Sequence, residues 1–180
     1  YLKNKKLNIL AVSSFPPNSE EFDFAIIATP TNYDIKTNEF DTASVESCIE
    51  HLQRNNSKTT IIIRSTLPVG YVENLMKKHS SQEIIFVPEF LREGKALKDS
   101  LYPSRIVIGS HSKKAKDFAN LLIEGSKDKE VKVLYTKSTE AESSKLFANA
   151  FLALRVTFFN ELDSFAMSKN LDTEEIIKAV

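Results

Sequence analysis

Lys145 and Asn149 lie four residues apart in a stretch, 139–180, that contains neither glycine nor proline. On a helix that spacing puts a cation and an amide on one face. Their neighbours Leu146, Phe147, Ala150 and Phe151 are apolar, so the polar pair sits beside a surface fit for burial. A cation and an amide donor fixed on a rigid helix suit the stabilisation of a developing oxyanion. The plainer alternative is a lysine and an asparagine on a solvated face. A second set of groups occupies PEFLREG, residues 88–94, where Glu89 and Glu93 flank Arg92. Glu89 can take a proton from water if its environment suits, and Glu93 can hydrogen-bond a ligand. The Arg92 fork matches a phosphate or a carboxylate, or equally a surface salt bridge. The two glutamates share a face only if the segment is helical.

Two further polar segments follow apolar runs in the same way: Thr29, Pro30, Thr31 and Asn32, then Ser65, Thr66, Leu67, Pro68, Val69 and Gly70. Singly, each is ordinary turn chemistry. Three in succession at the ends of apolar runs weigh a shared site equally with three turns. Other chemistries find less support. Cys48 is the one cysteine, so no intrachain disulfide forms and a reducing cytoplasmic setting is expected. It lies between Val45 and Leu52 with no base nearby and reads as a buried structural thiol. His51, His79 and His111 sit in polar stretches and are expected to be exposed. No metal site is expected. The four glycines, at 70, 94, 109 and 125, are too far apart for a G-x-G-x-x-G fingerprint or a P-loop. Lys plus Arg and Asp plus Glu both total 24, which argues against a general nucleic-acid or membrane-surface role. No apolar run approaches the roughly 18 residues of a membrane span.

Elements to position these groups follow from the hydrophobic pattern. Short apolar strands are predicted at 24–28, 59–63, 83–87, 105–108 and 131–135, with a weaker one at 8–12 and a turn at Pro16, Pro17 and Asn18. Between them run helices: one capped by Asp41 or Thr42 and carrying Val45, Cys48, Ile49 and Leu52; one with Pro68 in its first turn and Val72, Leu75 and Met76 along it; and one over 113–124 burying Ala115, Phe118, Leu121 and Leu122. Nearly all-apolar strands alternating with helices predict an α/β fold with a doubly wound parallel sheet covered on both faces. From Thr139 the period changes to three and four. Thr139 and Glu142 match a capping box, and an unbroken helix to about Lys169 would be roughly 45 Å long. That exceeds one face of a small sheet domain, so part of it is expected to pack on another domain or subunit. Asp172, with Glu175 three residues on, caps a further helix.

Five motifs in this order carry a resemblance: TPT at 29–31, STLPVG at 65–70, PEFLREG at 88–94, PSRIVIG at 103–109 and EAESSKLFAN at 140–149. Together they resemble the bacterial UDP-glucose 6-dehydrogenases of the UDP-glucose/GDP-mannose dehydrogenase family, and the likeness runs from about Phe24 to the C-terminus. The resemblance implies a Rossmann-like NAD-binding domain over residues 1–137, and over 138–180 the long helix that begins a helical dimerisation domain. It implies oxidation of UDP-glucose to UDP-glucuronate by two NAD molecules through a thioester on an essential cysteine, with a homodimer formed through the long helix. Thr31, Thr66 and Glu93 match positions that approach NAD, within segments that also hold Thr29, Pro30 and Ser65. Glu89, Phe90, Leu91, Arg92 and Glu93 match the lining of the sugar and nucleotide pocket. Lys145 and Asn149 match the pair beside the reacting carbon, and Thr66 and Glu89 the residues that handle the hydrolytic water.

By the same resemblance, the Gly-rich NAD fingerprint should precede Tyr1 and the catalytic cysteine should follow Val180. The chain therefore reads as the central piece of a longer enzyme, inactive by itself. A sibling enzyme acting on UDP-N-acetylmannosamine or GDP-mannose is the nearest alternative. A non-catalytic assembly module, with Phe151, Leu154, Phe158 and Phe165 against a partner, is the other.

Overall fold

The computed structural model describes residues 9–14, 22–54, 58–80 and 82–180. Its parallel strands are β1 (Phe24–Ile27), β4 (Thr60–Ile63), β5 (Ile84–Phe86), β6 (Ile106–Ile108) and β7 (Val133–Tyr135), with a short antiparallel hairpin of β2 (Tyr33–Asp34) and β3 (Glu39–Phe40). Helices are α1 (Ala43–Arg54), α2 (Tyr71–Lys78), α3 (Ala96–Leu101), α4 (Lys113–Gly125), α5 (Ser138–Ser168) and α6 (Thr173–Ala179). Strands β1, β4 and β5 lie side by side in chain order, pairing Ile27 with Ile63 and Ile63 with Phe86. Strands β6 and β7 form a second parallel pair, joined to the first sheet where Gly109 N donates to Phe86 O at 2.8 Å. The hairpin escapes sequence reading because each of its strands is two residues long, too short for any alternation to register.

Strand periodicity divides the core between two faces. Ile61 and Ile63 join Ile27 and Phe86 in a cluster with Val45, Ile49 and Leu52 of α1 and Val72 and Leu75 of α2. Ile62 and Ile85 point the other way, into a cluster with Ile106, Ile108 and Ala115, Phe118 and Ala119 of α4. Helices thus cover both faces, as the apolar strands require. The stripe of α4 runs through Ala119 rather than Leu121, which is exposed, and Met76 of α2 is likewise exposed. Residues 9–12 lie outside any strand with Ile9, Leu10 and Val12 exposed, while Asn8 and the turn at Pro16, Pro17 and Asn18 fall outside the described residues.

Three local expectations are overturned. Pro68 is not in the first turn of α2: the helix begins at Tyr71 after Gly70, whose φ of 84° needs a residue without a Cβ, and Pro68 O accepts from Tyr71 N at 3.3 Å in the turn before it. The capping box does not form. Lys137 occupies the N-cap of α5, Thr139 Oγ1 donates to Glu73 Oε1 at 3.0 Å, and Glu142 accepts from the backbone of α2 instead. His79 is buried, not exposed, because it ends α2 and folds back on α1, where its Nδ1 meets Gln53 Oε1 at 2.7 Å. The Asp172 cap does form, accepting from Glu175 N at 3.0 Å.

Helix α5 has 31 residues, about 46 Å at 1.5 Å per residue. Only its base is packed on the sheet: its buried residues are Ser138, Ala141 and Glu142 near the start and Ala166 near the end, where α6 folds back. The base docks closely because Gly109 has no side chain. A Cβ there would stand 3.0 Å from Phe86 O, 3.1 Å from Ser138 Cα and 3.2 Å from Ala141 Cβ. Beyond it Phe147, Phe151, Leu154, Phe158 and Phe165 are exposed.

Candidate functional site

Because β1, β4 and β5 run parallel in matched register, the polar segments that follow them emerge side by side at their carboxyl ends, where open α/β sheets bind ligands. They enclose a cavity of about 430 Å³ lined by Thr29, Pro30, Thr31, Asn32, Arg64, Ser65, Thr66, Glu89, Leu91 and Lys145. The segments are tied to one another: Ser65 Oγ donates to Thr29 O at 2.6 Å and Thr31 Oγ1 to Thr66 O at 2.7 Å. Ser44 of α1 adds a bond to Thr29 Oγ1 at 3.0 Å. With their protons committed to carbonyls, the Thr31 and Ser65 hydroxyls face a ligand with acceptor lone pairs.

Lys145 reaches this cavity from α5. Its Nζ donates to the Glu89 carbonyl at 2.6 Å and stands 5.6 Å from the centre of the Phe90 ring, over which the Arg105 guanidinium also lies, at 4.0 Å. Burial pushes the Lys145 ammonium below its ordinary pKa; the Glu89 carboxylate opposes this and Arg105 reinforces it. The Glu89 carboxylate turns to Arg64, whose Nε donates to Oε1 at 2.6 Å. Lys145 also lines a second cavity, of about 590 Å³, together with Phe90, Leu91, Arg92, Arg105, Asn149 and Phe151. Asn149 is exposed there, one turn along α5 from Lys145.

Thr29, Pro30, Thr31, Ser65, Thr66, Glu89, Leu91 and Lys145 therefore share one cavity, and Phe90, Leu91, Arg92, Lys145 and Asn149 the other. Glu93 is exposed and lines neither. Residues 87–95 are not helical, so Glu89 and Glu93 do not share a helix face. Arg92 holds Asp99 in a two-pronged pair, 2.6 and 3.0 Å, and its own backbone N–H reaches the same carboxylate at 2.9 Å. Asp99 is thus mostly covered, its side chain 12% exposed. Arg64 and Arg105 are cavity-lining charges that sequence reasoning did not place among the candidate site residues. The signal for Arg64 was its place directly after the apolar run of β4, where a buried-strand residue gives way to a full charge.

Two family models match the chain: the NAD binding domain of the UDP-glucose/GDP-mannose dehydrogenase family over residues 2–138, and the central domain of that family over residues 139–180. A UDP-glucose 6-dehydrogenase from Campylobacter jejuni is 50% identical over 158 residues, covering 88% of this chain and 40% of that protein. One from Streptococcus pneumoniae is 46% identical over 186 residues, covering 100% of this chain and 47% of that protein. The chain spans less than half the length of these curated relatives. Among solved structures, a UDP-glucose dehydrogenase from Pyrobaculum islandicum superposes with a TM-score of 0.77 at 28% identity, covering 89% of this chain and 39% of that one. A GDP-mannose dehydrogenase from Pseudomonas aeruginosa gives 0.76 at 25%, covering 87% and 38%.

Proposed function

Because the chain belongs to the UDP-glucose/GDP-mannose dehydrogenase family, we propose that it supplies the cofactor-facing wall and the catalytic lysine of an NAD-dependent enzyme that oxidises UDP-glucose to UDP-glucuronate. The observation that carries this reading is the seating of Lys145, which brings a half-buried ammonium from α5 to within 2.6 Å of the Glu89 carbonyl, at the meeting of two cavities. The hydroxyl-lined strand-end cavity suits NAD: Thr29, Pro30, Thr31, Ser65 and Thr66 would hold it, and Glu93, exposed outside that lining, would approach it from the solvent side. NAD supplies the acceptor for hydride.

The chain's own residues do the rest. Lys145 stabilises the alkoxide character that the sugar oxygen carries before hydride leaves its carbon, and again the negative oxygen formed as water attacks the acyl carbon, and its partial desolvation strengthens that field. Asn149 adds an amide donor one helical turn away. Glu89, held by Arg64 on one side and by Lys145 through its own carbonyl on the other, takes the proton of the hydrolytic water, with Thr66 orienting that water. Phe90, Leu91 and Arg92 wall the nucleotide-sugar side. Residues 1–137 belong to the NAD-binding unit and 138–180 open the central one. The exposed apolar residues of α5 join two copies in a homodimer, and a cytoplasmic setting suits the free thiol of Cys48 and a nicotinamide-dependent reaction.

The test is NADH formation by the full-length protein with UDP-glucose, UDP-N-acetylmannosamine and GDP-mannose in parallel, together with Lys145→Ala. UDP-glucose is the expected substrate. The variant should lose about a hundredfold or more in turnover, the scale of a removed oxyanion donor, while sugar-nucleotide binding changes far less. Unchanged turnover removes Lys145 from the mechanism, and preference for another sugar reassigns the substrate.

A further inference from the structure

Glu142 is completely buried, lines neither cavity and makes no ion pair among the described residues. Its two carboxylate oxygens are divided between two backbone donors some seventy residues away: Gly70 N–H on Oε2, and Val72 N–H on Oε1 at 2.8 Å. These are free amides at the start of α2, where a carboxylate also meets the positive end of the helix. One turn of α5 therefore caps a different helix. The loop it captures, residues 65–70, carries Ser65 and Thr66 into the strand-end cavity, and Lys145 follows Glu142 by three residues on the same helix.

We propose that Glu142 is a positioning residue for Lys145, fixing the turn of α5 that bears the ammonium against the loop that bears Thr66; the inference rests on the catalytic reading of Lys145 given above. The geometry leaves little slack. Thr139 is bonded to Glu73 from the same face of α5, three residues before Glu142, and Ala141 lies against Gly109, so the buried Glu142, together with Thr139, sets the rotation of α5 about its axis. A rotation that leaves the helix folded would still swing Lys145 off the Glu89 carbonyl. Burial raises the pKa of the Glu142 carboxyl, opposed by the two backbone N–H groups and reinforced by the Glu73 charge.

Two amide donors need two acceptor oxygens, and Glu142→Gln offers one acceptor and one clashing NH₂ at the same volume. In the full-length protein, kcat for UDP-glucose should fall about tenfold to a hundredfold with KM nearly unchanged, as a small misplacement of a catalytic group predicts. Independently of turnover, acylation of Lys145 by an amine-reactive ester, read by peptide mass spectrometry, should rise severalfold while Lys113 and Lys116 stay constant. Glu140→Gln, on the exposed face of the same turn, should change neither. Where Glu142→Gln does not fold, Glu142→Asp keeps both acceptors on a shorter arm and is read by the same two measurements. Unchanged Lys145 labelling in a folded variant whose Gly70 and Val72 amides exchange faster would overturn the proposal. Shifted labelling in a protein without dehydrogenase activity would instead reject the catalytic reading and leave the positioning intact.

Discussion

Arg92 and Asp99 show how one pair settles the shape of a pocket wall. Three donors converge on Asp99, two from the guanidinium and one from the backbone of Arg92, and the side-chain bond to Arg92 chiefly holds its carboxyl down to about 2, against an ordinary 3.8. A depressed acid stabilises the fold above its unfolded pKa and loses that contribution as pH falls through the folded one. The window therefore runs from 3.8 down to about 2. Asp99→Asn should flatten the fall of the urea midpoint across that range, and an equally steep fall in the variant would show that the pair does not contribute. A salt bridge was one of the readings the sequence offered for Arg92, without its partner Asp99, whereas the pair between Arg64 and Glu89 was not legible at all. Arg64 and Glu89 meet because Ile63 lies opposite Phe86, a register that only the folded sheet supplies. Glu142 misled for a related reason: Thr139 and Glu142 have the spacing of a local cap, and that local pattern concealed partners seventy residues distant.

At the scale of elements, the docking of α5 depends on an absence of side chain. Gly109→Ala would press a methyl group into a backbone carbonyl, a Cα and a neighbouring methyl, at 3.0 to 3.2 Å, none of which is the flexible end of a long side chain. Overpacking of that kind costs about 1–3 kcal/mol. A thermal midpoint several degrees lower is expected, and an unchanged midpoint would mean that α5 shifts away freely. The strands themselves were readable because runs such as TIII at 60–63 are apolar on both faces. Alternating strands and helices likewise made the covered parallel sheet legible, with boundaries off by a residue or two. The start of α2 was not, since proline at Pro68 suggested a first turn whereas the chain needed the left-handed Gly70 to aim an amide at Glu142.

For the whole molecule, the exposed aromatic and aliphatic residues of α5 form the surface that the proposed dimer would cover. Phe158 stacks edge-on against Phe159 at 5.4 Å and remains 53% exposed. Phe158→Glu should convert a dimer to monomers in sedimentation, with the sheet domain still folded by circular dichroism. A wild-type chain that sediments as a monomer at all concentrations would dismiss the interface. Length was the sequence's clue here: the long period-three-and-four run predicted more helix than one sheet face can cover, and the structure leaves that excess unburied.

Anchored at one end by Gly109, Glu142 and Thr139, α5 is a cantilever whose fulcrum lies beside the strand-end cavity. Lys145 sits seven residues from Ser138, about 10 Å along the axis, whereas Ser168 lies thirty residues out, about 45 Å. A tilt about the base that carries the far end through about 4 Å moves Lys145 by about 1 Å. Displacements imposed on the distal half by a neighbouring domain or a second copy thus arrive at the ammonium scaled down roughly fourfold by the same geometry. The arm is well placed for assembly to rearrange at its tip while the end that carries Lys145 stays nearly in place.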